Sequence, residues 1–146
     1  MKNTITSELL HGRAVSAVFQ DFMEPFLVEW RDMKPRPNMK QLNEWLRTPW
    51  AIWNAVVYQD FYPKSENHDL LNEMRRQALV SQLPEADGLI EFFVVRKRYE
   101  FAKFRYLFGE YDFYQRNDGE FYCRAAAVLP KNVDQRYGTD GVEQRI

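Results

Sequence analysis

Residues 89–108 read LIEFFVVRKRYEFAKFRYLF, and the reading of this stretch decides the fold. It contains no Gly, Pro, Asn, Asp or Ser, so nothing within it signals a turn. At about 100° per residue in a helix, its apolar side chains fall into two stripes. Ile90, Phe93, Val94, Phe101, Phe104 and Phe108 form one, interrupted by Lys97. Phe92, Val95, Tyr99, Ala102 and Tyr106 form a second on roughly the opposite side. Arg96–Glu100–Lys103 and Arg98–Arg105 run between them as polar seams. A strand fits worse, because alternate positions mix phenylalanines with charges. The spacing predicts a central helix over 89–108, apolar on two sides and therefore packed on two sides.

Upstream, Val15, Val18, Phe19, Phe22, Phe26 and Trp30 share one helical face. Pro25 lies inside that pattern, where it removes a backbone donor and crowds the Asp21 carbonyl, so a kink or break is expected. Met33 to Asn38, with two prolines, is a loop. Asn38 with Gln41 three residues later makes a capping box for a helix carrying Met39, Leu42, Trp45 and Leu46. Thr48-Pro49 starts a further helix with Trp53, Val56, Val57 and Phe61 on its apolar face. Ser65 can cap another over 66–82. Downstream of Gly109 two readings compete. Asp118-Gly119 between aromatic flanks signals a hairpin, whereas Ala125 to Ala127 favours a short helix, and the helix is preferred.

The expected fold is therefore mainly α: a single-domain bundle of five or six helices around 89–108, spanning 1–130, with a polar tail over 131–146. The alternative is α+β with a C-terminal hairpin over 110–129.

Composition narrows the function classes. The chain has 146 residues, 45% of them hydrophobic and 16% aromatic, which is the make-up of a folded domain and not of a disordered one. A formal charge of −1 advertises no polyanion partner over the whole surface. One cysteine, Cys123, precludes an intramolecular disulfide or a Cys-rich zinc site. No signal peptide is read at the N-terminus and no apolar run is long enough for a bilayer, so a cytoplasmic protein with no membrane association is expected.

Motifs with chemical content are sparse. No glycine-rich phosphate loop, nucleophile elbow, EF-hand loop or CxxC is present. His11 and His68 belong to no ligand motif, and Cys123 has Arg124 beside it but no base at recognisable spacing. Glu110, Asp112, Asp118 and Glu120 read as turn acids. No catalytic residue, metal or cofactor is assigned. Two clusters remain. Trp45, Trp50 and Trp53 fall on adjacent short helices and are candidates for a partner-binding surface, since Trp anchors interfaces. Arg96, Arg98, Tyr99, Lys103 and Arg105 interleave cations with aromatics, as single-stranded nucleic acid requires; the competing reading makes those aromatics core and those cations solvated seams. The expected function is a non-enzymatic interaction or regulatory protein that binds a partner protein through an aromatic surface. An RNA- or single-stranded DNA-binding regulator is the second reading and an enzyme of unassigned class the third. The composition also allows a homodimer.

Overall fold

The computed structural model describes residues 15–61, 86–128 and 144–145. Four helices and three strands occur among them: α1 (Val15–Asp32), α2 (Met39–Trp45), α3 (Arg47–Phe61), α4 (Ala86–Tyr99), β1 (Leu107–Gln115), β2 (Phe121–Val128) and β3 (Gln144–Arg145). The strands form one antiparallel sheet in the order β1-β2-β3. α1 packs on β2, α2 and α3 on β1, and α4 on α3. None of the described helices is long and apolar enough to cross a membrane. The readings of His11, of His68 and of a helix over 66–82 lie outside the described residues.

The expected bundle of five or six helices around 89–108 is not what forms. α4 stops at Tyr99, and the chain enters an α+β arrangement whose hairpin runs from Leu107 to Val128. The cause lies in Lys97, the residue that interrupts the first apolar stripe. It is only 4% exposed, and its Nζ donates to the carbonyls of Phe101 (2.8 Å) and Phe104 (2.9 Å). A buried ammonium that satisfies carbonyls past the last turn caps the helix and folds the chain back over its end. Beyond that point the helical burial period is lost: Phe104, Tyr106, Leu107 and Phe108 are buried, with Arg105 exposed. Aromatic residues suit that pleated, half-buried surface.

The hairpin turn follows its residue types. Gly119 N–H donates to Arg116 O (2.9 Å) and Arg116 N–H to Glu120 O (3.0 Å), with Gly119 at φ 83°. A three-residue loop of this kind needs its last position in the left-handed region, which glycine reaches without strain. Asp118 Oδ1 accepts from Glu120 N–H, and its Oδ2 accepts from the Tyr122 hydroxyl, both at 2.8 Å. A bulge breaks the β1–β2 register between Phe108 and Tyr111. Gly109 sits there, where a Cβ would come within 3.2 Å of Ala126 Cβ and Val128 Cγ2.

α1 runs unbroken through Pro25. The proline supplies no N–H to Asp21 O, and Arg96 of α4 takes its place: Nη2 donates to Asp21 O at 2.6 Å and Nε to Phe22 O at 3.3 Å. The gap in one helix becomes a joint to another. At the Thr48-Pro49 corner, α2 ends at Trp45 and α3 begins at Arg47, so Pro49 falls within a first turn that needs no proline N–H. The Asn38–Gln41 capping box forms as read.

Trp53 is the centre of the core. Its ring stacks on Phe108 at 4.1 Å and meets Phe22 edge-on at 4.9 Å, while Lys97 Nζ lies 4.4 Å from its centroid. Around it the outer edge of β1 is sealed by side chains of α2 and α3. Asn54 donates to Phe108 O (2.9 Å) and accepts from Phe108 N–H (2.7 Å); Asn43 does the same at Phe113 (3.0 and 2.9 Å). The indoles of Trp50 and Trp53 donate to Gly109 O (2.8 Å) and Tyr106 O (2.7 Å). On β2, Ser16 Oγ of α1 accepts from Ala125 N–H at 3.1 Å.

Two measurements check these contacts. Asn54→Ala leaves the Phe108 N–H and C=O without their partner and should cost about 2–4 kcal/mol in denaturant unfolding. Arg96→Met should cost about 2 kcal/mol, and at least about 1 kcal/mol less in a Pro25→Ala background, where the restored backbone N–H can reach Asp21 O. Additive losses in that double-mutant cycle would mean that Arg96 does not serve the proline gap.

Candidate functional site

A groove of about 570 Å³ lies between the α2–α3 corner and β1. Lys40, Asn43, Glu44, Arg47 and Trp50 form the helical wall, and Gly109, Glu110, Tyr111 and Asp112 the strand wall. Lys40, Glu44 and Arg47 recur at helical spacing, so one face of the corner presents them together. Asn43 is spent in positioning: besides its pair with Phe113, its Nδ2 donates to Asp112 Oδ1 at 3.1 Å. Tyr111 packs between Phe19 (5.0 Å) and Trp50 (6.1 Å), and its hydroxyl donates to Asn43 O. Burial pushes the Tyr111 phenol up to about 12, against the opposing pull of the Arg47 charge, so it stays a neutral donor at ordinary pH. Lys40 and Arg47, with Glu44 on the same wall, thus face Glu110 and Asp112 across the groove, with the half-buried rings of Trp50 and Tyr111 between them.

The tryptophans expected to act together are separated by the fold. Trp45 is 40% exposed at the end of α2, outside the groove lining. Trp50 is half-buried and lines the groove, with its N–H committed to Gly109 O. Trp53 is 0% exposed and belongs to the core, so it has no surface to offer a partner.

The basic-aromatic stretch is also divided. Arg96 is bound to α1 and to Glu100 and stands over the Phe101 ring. Arg98 and Arg105 are exposed, Lys103 lies against the Phe104 ring at 5.4 Å, and Tyr99 is 80% exposed. Tyr106 is buried. The second apolar stripe therefore does not pack on a second side: Phe92, Val95 and Tyr99 stand at the surface.

Cys123 is buried, and its desolvation raises the thiol to about 12, far from a reactive thiolate. No three His, Cys, Asp or Glu side chains come together as metal ligands among the described residues. Asn43 and Asn54 escape the sequence reading altogether. Their only trace there is two amides placed among Leu, Trp and Val in helices, where Asn is a poor helix former. The chain matches no protein-family model, no curated protein sequence and no solved structure.

Lys97 gives this region a pH signature. Burial lowers its pKa to about 8, against the raising pull of Asp60, while Arg105 lowers it further. The folded pKa is below the unfolded value of 10.5, so between these limits the unfolded chain holds the extra proton. Stability relative to Lys97→Met should therefore be flat below pH 8 and rise towards pH 10.5, by about 2–3 kcal/mol. Cys123 and Tyr111 titrate in both proteins and cancel. A pH-independent difference would contradict a buried ammonium.

Proposed function

We propose that this protein is a non-enzymatic interaction protein that holds a segment of a partner protein in the groove between the α2–α3 corner and β1. The observation that carries the reading is the groove itself, with Trp50 and Tyr111 as aromatic surface and charges of both signs around them. Its volume lies in the usual range for ligand sites. Half-buried aromatics supply contact area at low entropic cost, and rim charges set register and partner choice. Trp45, 40% exposed at the end of α2, is a second aromatic surface outside the groove lining. A near-neutral chain with an aromatic groove suits a polypeptide better than a polyanion.

One observation favours a second reading. Tyr99, with 80% of its surface exposed, adjoins exposed Arg98. Together with Lys103 and Arg105 this is a smaller version of the cation–aromatic set that could hold RNA or single-stranded DNA.

The two readings separate in one assay. Protein captured from host lysate should survive nuclease treatment, and Arg47→Glu or Trp45→Ala should weaken its capture about tenfold or more while leaving the unfolding midpoint unchanged. Capture lost on nuclease treatment, and sensitive to Arg98→Glu but not to Arg47→Glu, would replace the groove reading with the nucleic-acid one.

A further inference from the structure

We infer that the groove takes an amphipathic helix of a different protein, one that sets an acid, a base and an acid against Lys40, Glu44 and Arg47. This rests on the reading of the groove as a site for a partner segment, and adds the partner's form and charge order. Lys40, Glu44 and Arg47 line the helical wall and are all exposed. None of these three side chains has an ion pair or hydrogen bond among the described residues. The strand wall differs: Asp112 accepts from Asn43 Nδ2, and Glu110 is also engaged within the chain. The charges still open to a partner therefore stand on the helical wall, in the order plus, minus, plus.

The form of the occupant follows from spacing. The helical path carries across the α2–α3 corner: Leu46 is helical (φ −74°, ψ −8°), its N–H donates to Leu42 O at 3.1 Å, and Trp50 N–H donates to Leu46 O at 3.0 Å. The three charges thus follow one another along the wall at about 6 and 4.5 Å of axial rise. A helix laid along the wall matches that rise with its own residues at steps of four and three, and rests its apolar stripe on Trp50 and Tyr111. Strand addition is closed off, because Trp50 holds Gly109 O and Asn43 holds both backbone groups of Phe113. The charge order also rejects a second copy of this chain. Set parallel, each charge meets its own kind; reversed, Lys40 meets Arg47 and Glu44 meets Glu44. Like charges in both directions select against self-pairing. Exposed ion pairs add little affinity, so the aromatic rings supply the binding and the charges choose the partner.

Two labelled synthetic helices of about five turns test this by fluorescence anisotropy with the full chain. Both carry the same apolar stripe; the flank of one reads acid, base, acid at steps of four and three, and that of the other base, acid, base. The first should bind about tenfold or more tighter at low salt, and added salt should narrow the difference. Lys40→Glu, Glu44→Lys and Arg47→Glu made together should reverse the preference without moving the unfolding midpoint, since all three side chains are exposed. Equal binding of both helices, or a preference that the triple variant keeps, would overturn the charge order and leave the groove reading standing. Binding of neither helix would overturn the inference as well. Arg47-dependent capture of protein from lysate would then still support the groove, and no capture would remove both. Self-association of the chain that Arg47→Glu abolishes would overturn it in favour of a second copy.

Discussion

The strand β1 lies against helices on the side away from β2, and its outward backbone groups must find partners there. No further strand lies on that side among the described residues. The donors and acceptors come instead from side chains: two asparagine amides, each matching one N–H and one C=O, and two indole N–H groups. A carboxamide is a peptide group on a short stem, so it can imitate one residue of a neighbouring strand. These contacts fix α2 and α3 against the sheet in rotation as well as distance. Apolar packing alone would let helices slide over the aromatic core; directional bonds at Tyr106, Phe108, Gly109 and Phe113 set the register. The walls of the groove are held by the same contacts.

A second joint works by the same logic with charge. Arg96 serves the carbonyls that Pro25 and the helix geometry leave exposed on α1, and Lys97 serves those past the end of α4. Both cations belong to the run that in sequence looks like a basic patch. Part of that patch is internal wiring. Burying an ammonium costs free energy unless its donors are satisfied, and here two carbonyls and the face of Trp53 satisfy them.

Much of the fold is legible from local pattern. The α1 face, the Asn38 capping box and the loop over Met33–Asn38 all depend on neighbours a few residues away. The first stripe of 89–108 also predicts burial correctly, because Ile90, Phe93, Phe101 and Phe108 are buried on either side of the helix end. What a single window cannot carry is the change of period inside it. The helix end is set by Lys97 reaching a turn that exists only once Trp53 and Phe104 are in place. Asp118-Gly119 does signal the hairpin, but the alanines beside it carry a helix propensity that the sheet overrides. At the site, spacing cannot tell Trp50 from Trp53, since both fall on inward-turned positions of one helix and only the depth of packing separates them. Asn43 and Asn54 are illegible for the plainest reason: their partners lie 70 and 54 residues away.

The sealed edge of β1 also decides how this chain can and cannot meet others of its kind. An open edge invites strand addition, the route to runaway sheet growth. Here an incoming backbone would have to displace two amides and two indoles before making its first bond. At the far side of the described sheet, β3 is two residues long and gives little to template on. Main-chain recruitment is therefore disfavoured at the β1 margin. Contacts between molecules are left to side chains, whose size and charge can be tuned one position at a time and whose number is finite. A chain with this many aromatic residues thereby keeps its stickiness countable.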